Sequence, residues 1–313
     1  MKFLFLMDPL ETVNVLKDTS FIFMHGAHER GIEVYYLPIG GITLKNAELF
    51  FNVTRVTPQK VEGQPFLIHE ELTLAQADVS AVFIRTEPPF DSDYIMHTWM
   101  LDLLPDSIPV FNKPSGVRDV NEKVWTAQFS DLVPRTVITR NEAMFKDFLK
   151  EEGLIIAKPT DGFGGAGVFK VSQDGDNRSV IFEILSENGK KDVILQEYIP
   201  EAEKGDKRIL LLNGDILGAV LRVHGKDDHR NNFFAGGTAQ ACDITTRDRE
   251  ICKKLKPYLI EKGLMFVGID IIGDKLIEVN VTSPTCLQEM NRLYDLKLED
   301  KVIDFVLSVV DSK

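Results

Sequence analysis

The segment FVGIDIIGDKLIEVNVTSPT, residues 266–285, constrains the fold more than any other stretch of the chain. It contains two apolar strands around the turn residues Gly273 and Asp274, and it places Asp270, Glu278 and Asn280 among isoleucines and valines. Side chains alternate between the two faces of a strand, so the register of the hairpin decides which polar groups share a face.

Two registers are compatible with this sequence. A two-residue turn pairs Ile272 with Lys275 and puts Asp270 and Glu278 on opposite faces. A three-residue loop pairs Ile272 with Leu276, and Asp270 then pairs with Glu278. In that register one face is wholly apolar and consists of Val267, Ile269, Ile271, Ile277, Val279 and Val281. We therefore predict the three-residue loop, with both carboxylates on the other face.

The polar face of this hairpin is a candidate metal site. Asp270, Glu278 and Asn280 supply the oxygen ligands that Mg²⁺ prefers. Paired carboxylates repel each other, and a bound cation removes that cost. The alternative is a polar stripe that faces solvent, which is common on antiparallel sheets. Apolar residues are expected on the same face, at Ile272 and Leu276. They favour the interpretation of this face as the floor of a binding site over that of a stripe facing solvent.

The composition is that of a globular protein with two or three structural units, since 44% of its 313 residues are hydrophobic and 27% are charged. A net charge of −12 argues against general nucleic-acid binding. Asp8 and Pro9 interrupt the first apolar run, and no apolar stretch approaches the ~18 residues of a membrane span. Three cysteines without metal-ligand spacing are expected to be reduced thiols. We expect a cytoplasmic protein with no nucleic-acid or membrane partner.

The pattern of elements changes along the chain. Strands alternate with helices to about residue 120, which predicts an open α/β sheet. The segment GVRDVNEKVWTAQFS, 116–130, is predicted to be helical. Beyond it, antiparallel hairpins predominate, including one with its turn at Asn213-Gly214, which predicts an α+β region. A polar stretch from His224 to Gly237 shows no periodicity, and a loop of this length is usually either functional or disordered.

The segment KPTDGFGGAGVFKV, 158–171, contains G-x-G-x-x-G at Gly162, Gly164 and Gly167. A dinucleotide fingerprint needs a helix after it, whereas VFKVS alternates like a strand. We favour a glycine-rich turn between two strands that folds over phosphates, with Lys158 neutralising one of them. The alternative is a flexible hairpin tip beside a solvated lysine.

Two residues of the first domain have two interpretations each. Asp18 precedes a predicted helix that ends before Gly31, so it either caps that helix or contacts a substrate at the edge of the sheet. Arg85 ends the strand VFIR and either binds a substrate carboxylate or forms a surface ion pair. Both alternatives remain open at this stage.

The motifs taken together resemble a known family. MDP, PPFD, NKP…RD.NEK, KP.DG.GG, GDKR, AGG and FVG.DIIGD.L.E.NVTSPT all occur in the bacterial glutathione synthetases of the ATP-grasp superfamily, and the resemblance spans nearly the whole chain. It implies an N-terminal open α/β (Rossmann-like) domain, 1–121, followed by a two-part ATP-grasp fold. The two parts would be a small lid domain, 122–198, and a C-terminal catalytic domain, 199–313.

The resemblance also implies an activity and its ligands. The chain would join γ-glutamylcysteine to glycine at the expense of ATP and release glutathione, ADP and phosphate. It would use two Mg²⁺ ions, which Mn²⁺ could replace, and would assemble as a homotetramer.

The resemblance assigns roles to individual residues. For ATP these are Lys123, Lys158, Gly162, Gly164, Gly165, Glu197, Tyr198, Ile199 and Asp206. The two metal ions would be bound by Asp270, Glu278 and Asn280. The catalytic arginines would be Arg208, Arg222 and Arg230. The substrate residues would be Thr282, Ser283 and Thr285, and Asp18, Arg85 and Asn232 are further candidates for substrate binding that the resemblance does not itself assign.

The loop 224–238 departs from the family pattern. It reads HRNNFFAGG where the family tends to have Arg-Gly-Asn, so Asn231 stands in place of glycine, and Thr238 replaces a basic residue. This difference leaves open a ligase for another peptide and amino acid. A non-catalytic nucleotide-binding protein is a further alternative, against which the complete set of lysine, glycine-rich turn and Asp270, Glu278 and Asn280 argues.

Overall fold

The structure is a computed structural model that describes residues 1–223 and 237–312. Within these ranges the strands form three sheets. None of the helices in the same ranges is long and apolar enough to cross a membrane.

The first sheet has a parallel half and an antiparallel half. Its strands are β1 (Lys2–Leu6), β2 (Glu33–Leu37), β3 (Ile42–Lys45), β4 (Glu48–Pro58), β5 (Phe66–Ala75), β6 (Ala81–Ile84) and β7 (Val110–Phe111). The order is β3-β4-β2-β1-β6-β7, and β5 also pairs with β4. The pairs β1–β2, β1–β6 and β6–β7 are parallel, and the pairs of β4 are antiparallel. The associated helices are α1 (Thr19–His28), α2 (Ser92–Leu101) and α3 (Pro114–Asp119).

The second sheet is small and antiparallel, in the order β10-β9-β11-β8. Its elements are β8 (Thr136–Thr139), α4 (Glu142–Glu152), β9 (Leu154–Pro159), β10 (Phe169–Ser172), α5 (Arg178–Leu185) and β11 (Val193–Glu197). Its helices bury Phe145 and Phe182 against the sheet, and the two rings stack 4.6 Å apart. This sheet therefore has a hydrophobic core of its own.

The third sheet is antiparallel in the order β14-β13-β12-β15-β16. Its strands are β12 (Asp206–Leu212), β13 (Asp215–Val223), β14 (Thr238–Gln240), β15 (Phe266–Ile272) and β16 (Lys275–Asn280), and its helices are α6 (Thr246–Glu261), α7 (Leu287–Tyr294) and α8 (Leu298–Asp311). Hydrophobic clusters run from the first sheet into the third; one joins Phe5 and Phe23 to Phe266. These two sheets are therefore packed on a shared core.

Local sequence signals account for several of these elements. The Asp18 carboxylate accepts the Phe21 N–H at 2.7 Å and so caps α1. Asn213 and Gly214 both have positive φ, 51° and 76°, as a two-residue type I′ turn requires, which confirms the predicted hairpin β12–β13.

One prediction of secondary structure was wrong, and one strand was not predicted. The segment 116–130 is not one helix, because α3 ends at Asp119 and only a short 3₁₀ turn, Trp125–Gln128, follows. Strand β5 was not predicted, since its sequence FLIHEELTLA lacks strict alternation and most of its side chains are exposed. It is an edge strand, so burial imposes little pattern on it.

Candidate active site

A cleft of about 260 Å³ lies between the second and third sheets. One wall consists of β9, the end of β11 and the turn between β9 and β10. The other wall consists of β12, β13 and the hairpin β15–β16. The sequence-predicted residues that line the cleft are Lys123, Lys158, Gly162, Gly164, Gly165, Glu197, Tyr198, Ile199, Asp206, Arg208, Arg222, Asp270, Glu278, Asn280, Thr282, Ser283 and Thr285.

The hairpin β15–β16 brings both carboxylates to this cleft, but not by the predicted turn. Asp270 pairs with Glu278 as predicted, whereas Ile272 pairs with Lys275 across a two-residue turn at Gly273-Asp274. The prediction of a three-residue loop is therefore wrong. A β-bulge at Ile277 absorbs the extra residue between the turn and Glu278.

The bulge exchanges two neighbouring side chains between the faces. Leu276 is fully buried in the core, where Ile277 was expected, and Ile277 lines the cleft. The apolar face is then continuous through Ile271, Leu276 and Val279. The structure therefore satisfies both requirements that the sequence imposed, a continuous apolar face and paired carboxylates, with a turn that the sequence reasoning had rejected.

Four buried charges form one network on the floor of the cleft. The Arg222 guanidinium donates to both oxygens of Asp206, through Nε at 2.9 Å, and to Asp270 Oδ2 at 2.9 Å. Arg208 donates to both oxygens of Asp270, through Nη2 at 2.9 Å. The sheet produces these contacts, because Asp206 lies opposite Arg222 and Arg208 lies opposite Asp270 in adjacent strands.

The network fixes the charge of Asp270. Burial alone would raise the pKa of this carboxyl, but the Arg208 and Arg222 guanidiniums outweigh burial and hold its pKa well below its usual range. Asp270 is therefore a carboxylate at neutral pH. Gly268 gives Arg208 room to reach it, since a Cβ on Gly268 would lie 3.2 Å from Arg208 Cδ and 2.9 Å from Pro284 Cβ.

Two lysines enter the cleft from the opposite wall. Lys158 is only 3% exposed near the end of β9, and this burial lowers the pKa of its ammonium to about 8. The interpretation of Lys158 as a solvated lysine is therefore wrong. Lys123 donates to the Gly162 carbonyl, and its Nζ lies 3.6 Å from Glu278 Oε1. Lys123 thus touches both walls of the cleft.

The glycine-rich turn connects two strands, as predicted. It lies between β9 and β10, and Gly164 and Gly165 have φ of 59° and 76°, in the region that favours glycine. At Gly162 a Cβ would lie 2.6 Å from Pro159 Cγ. Backbone N–H groups in such a turn can approach an anion closely because no side chain holds them away.

The end of β11 continues along the same wall. Glu197 is the last residue of the strand, and Tyr198 and Ile199 follow it into the cleft. The Lys170 ammonium lies 4.0 Å from the centroid of the Tyr198 ring, and the Tyr198 hydroxyl donates to Glu203 at 3.2 Å. These two contacts fix the position of the Tyr198 ring on this wall.

Glu122 is a cleft residue that the sequence reasoning did not identify. Its Oε1 accepts the Thr282 hydroxyl at 2.9 Å and the backbone N–H groups of Val281 and Thr282 at 3.1 and 3.3 Å. Burial raises the pKa of Glu122, and the Lys123 charge opposes this shift. The motif NEK contains this glutamate, but nothing in the local sequence links it to a segment 160 residues away.

Asp18 and Arg85 lie outside the lining of the cleft. Asp18 serves as the cap of α1. Arg85 is 4% exposed; its Nε donates to Ser20 Oγ at 2.9 Å and its Nη2 donates to the Pro284 carbonyl at 3.0 Å. The alternative of a surface ion pair is therefore wrong for Arg85. It joins helix α1 to the loop Thr282–Thr285. Arg230, Asn232 and the loop 224–236 fall outside the described residues.

Three side chains of the acidic hairpin that carry oxygen atoms are the groups that would hold a divalent cation. Asp270, Glu278 and Asn280 share the cleft face, with Gly268 opposite Asn280 and Asp270 opposite Glu278. The Asn280 amide N–H donates to the Gly268 carbonyl at 3.2 Å and to Asp270 at 3.4 Å, and its amide oxygen is not used in these bonds. Within the described ranges no group of three His, Cys, Asp or Glu residues converges. A cation here would therefore rely on two carboxylates and this amide oxygen.

The class of the protein is ATP-grasp, because the ATP-grasp domain of a known family matches its second half and solved ATP-grasp structures share its fold. The solved structures that share the fold include the following two. D-cycloserine synthetase DcsG superimposes with a TM-score of 0.69 at 14% identity, over 98% of this chain and 100% of its own. A RiPP-associated ATP-grasp ligase of Chryseobacterium gregarium, in complex with ADP and a leader and core peptide, gives 0.66 at 15% identity, over 98% and 97%.

Within this class, the chain belongs to the prokaryotic glutathione synthetase family. The family's N-terminal domain matches residues 1–118 and its ATP-grasp domain matches residues 122–295. The glutathione synthetase of Vibrio cholerae is 38% identical over 302 residues, which cover 96% of this chain and 95% of that protein. The glutathione synthetase of Escherichia coli is also 38% identical, over 96% of each chain. The predicted resemblance is thereby confirmed.

Proposed function

We propose that this protein joins γ-glutamylcysteine to glycine by using ATP as phosphoryl donor, and so forms glutathione, ADP and phosphate. One observation supports this above all. In a chain of the glutathione synthetase family, a single cleft contains the pair Asp270–Glu278 opposite Lys123 and Lys158. Negative charge that develops between these walls would meet the lysines on one side and Arg208 and Arg222 on the other.

The residue roles follow from position in the cleft. We assign the phosphates of ATP to Lys123, Lys158 and the turn containing Gly162, Gly164 and Gly165. The adenine would lie against residues 197–199 and the ribose near Asp206. The loop Thr282–Thr285, with Arg208 and Arg222, would bind the peptide. Asp18 and Arg85 would contact the far end of the peptide.

The reaction consists of two displacements. The cysteine carboxylate oxygen of the peptide attacks the γ-phosphorus, the bond to ADP breaks, and an acyl phosphate forms. The amine of glycine then attacks the acyl carbon, phosphate leaves, and the nitrogen loses a proton. Both steps concentrate negative charge, which Lys158 and the two arginines stabilise. The acyl phosphate hydrolyses readily, so the walls of the cleft must also exclude water.

Family membership implies dependence on a divalent metal. We propose that Asp270, Glu278 and Asn280 hold two Mg²⁺ ions, for which Mn²⁺ can substitute. The ions, when bound, supply charge neutralisation at the phosphates. Glu278→Gln should lower turnover by about two orders of magnitude or more, because metal ions supply several kcal/mol of this stabilisation. Glu142→Gln, which changes an exposed helix carboxylate, is the matched control.

The decisive experiment is phosphate release from ATP and Mg²⁺ with γ-glutamylcysteine and a panel of amino acids. Release that is highest with glycine, with glutathione formed in step, is expected. Turnover with another amine instead would move the function to a related ligase. ATP binding without turnover on any amine would overturn both ligase assignments.

We also propose the domain boundaries 1–121, 122–198 and 199–313, a homotetramer, and a cytoplasmic location. Hydrogen exchange should show residues 122–198, which have a hydrophobic core of their own, opening separately from the rest of the chain if these boundaries are right. Sedimentation equilibrium should give four times the chain mass of 35.3 kDa. Cell fractionation should recover the protein with soluble markers.

A further inference from the structure

Glu122 supports the part of the site where the sheet ends. Strand β16 ends at Asn280, and the last paired residues are Gly268 and Asn280. The next two backbone N–H groups, of Val281 and Thr282, donate to one oxygen of Glu122. The Glu122 side chain thus provides Val281 and Thr282 with the hydrogen-bond acceptor that a neighbouring strand would otherwise provide.

The contact involves more than the side chain. The Glu122 carbonyl accepts the Val279 N–H at 2.9 Å, so the backbone of the segment 121–123 lies against the end of β16. The Thr282 hydroxyl donates to the same carboxylate oxygen at 2.9 Å. Three donors on one charged oxygen define the position of Thr282 relative to Asn280.

The neighbours of Glu122 face the other wall of the cleft. Asn121 donates to the Thr160 carbonyl at 3.1 Å, at the start of the glycine-rich turn. Lys123 donates to the Gly162 carbonyl in the same turn. Side chains of one short segment therefore reach different walls: Asn121 contacts the nucleotide side, Glu122 contacts Val281 and Thr282, and Lys123 lies between the two walls.

We infer that Glu122 is a positioning residue for the peptide substrate, acting through the backbone of Val281 and Thr282 and through the Thr282 hydroxyl. The inference rests on the proposed function, because it assigns the loop Thr282–Thr285 to the peptide. The side-chain hydrogen bonds of Glu122 go to Val281 and Thr282, whereas Asn121 donates to Thr160 beside the glycine-rich turn.

The test compares Glu122→Ala and Glu122→Gln with Asn121→Ala in steady-state kinetics and direct ADP binding. Glu122→Ala should raise KM for γ-glutamylcysteine by roughly 10–100-fold, since three hydrogen bonds are lost, and leave the Kd for ADP within about twofold. Glu122→Gln keeps the acceptor without its charge, so the KM should rise by only about 3–10-fold. Asn121→Ala should weaken ADP binding and leave the peptide KM nearly unchanged.

The outcomes separate this inference from the proposed function. If wild-type protein makes glutathione but Glu122→Gln has a wild-type peptide KM, the inference is wrong and the function stands. It is also wrong if Glu122→Ala raises the KM of ATP and of the peptide equally, because that indicates only a general loss of structure. If the wild type does not use γ-glutamylcysteine at all, both are overturned. Glu122→Gln decides the question even if the alanine variant does not fold.

Discussion

At the scale of the residue, Lys158 has an unusual acid–base property. Burial lowers the pKa of its ammonium to about 8, against an ordinary value of 10.5. The unfolded chain therefore binds more protons than the folded chain between these two values. Its contribution to stability consequently rises as pH increases through this window, and it is lowest below about pH 8, where the charge is buried.

This property predicts proton uptake on nucleotide binding. Phosphate next to Lys158 favours the charged form, so at pH 8 ADP binding should transfer protons to the protein. Calorimetry in two buffers with different ionisation enthalpies measures this uptake. Lys158→Met should abolish it, whereas Lys170→Met, at an exposed lysine beside Tyr198, should not. Equal uptake in both variants would assign the proton to another group.

Two arginines offer a matched comparison of buried and exposed ion pairs. Arg222→Gln leaves Asp206 and Asp270 without a shared counter-ion, and it should lower the free energy of unfolding by about 3–5 kcal/mol. Arg140 makes the same type of fork with Asp192 on the surface. Arg140→Gln should have no measurable effect, because exposed pairs contribute little. Urea denaturation of both variants tests this difference, and similar losses would contradict it.

At the scale of the element, the glycine-rich turn should be important for binding rather than for folding. Gly164→Ala introduces a Cβ at a φ of 59°, which costs about 1–2 kcal/mol, and holds the backbone away from a phosphate. Gly31→Ala imposes a similar strain at a φ of 74°, in an open turn after α1.

The two variants should therefore lose similar stability and differ in nucleotide affinity. Gly164→Ala is expected to weaken ADP binding by about tenfold, which is about 1.4 kcal/mol, and Gly31→Ala to leave it unchanged. Thermal denaturation and fluorescence titration measure the two effects. Unchanged ADP affinity in Gly164→Ala would exclude the turn from the phosphate site.

The elements also show which parts of the structure the sequence predicts. The pair Asp270–Glu278 was predictable, because one face of the hairpin must be apolar. The two-residue turn was not, because a bulge at Ile277 changes the alternation and a single sequence has no signal for it. Glu122 and the buried position of Arg85 depend on contacts between residues far apart in the sequence. These contacts exist only after the sheets have packed.

At the scale of the whole molecule, Asn112 links the first and third sheets. Its amide donates to the carbonyls of Phe266 and Val281 at 2.8 Å, and its oxygen accepts the Phe266 N–H at 2.8 Å. All three bonds are buried at the open end of the hairpin β15–β16. The N-terminal sheet is thus hydrogen-bonded directly to the element that presents Asp270 and Glu278.

Removing the Asn112 side chain should lower both the free energy of unfolding and the affinity of the hairpin β15–β16 for a divalent metal. Asn112→Ala leaves three buried backbone groups without this partner, and it should lower the free energy of unfolding by about 3 kcal/mol. Asn112→Asp can accept the Phe266 N–H but cannot donate, so it should be no better than alanine. Denaturation of both variants, with a matched measurement of Mg²⁺ or Mn²⁺ binding, tests the link. Full stability of the alanine variant would show that packing alone joins the sheets.

The bulge at Ile277 also limits how the length of this hairpin can change. Side chains alternate between the two faces of a strand, and the bulge adds one residue to that alternation. Its removal would therefore move every side chain on one side of it to the opposite face. Deletion of Ile277 alone would turn Glu278 and Asn280 towards the core, or Leu276 and the turn towards the cleft. Deletion of a pair of residues across the turn, one from each strand end, would keep the phase. The number of residues in this strand, more than the chemistry of Ile277, therefore determines whether Glu278 and Asn280 face the cleft.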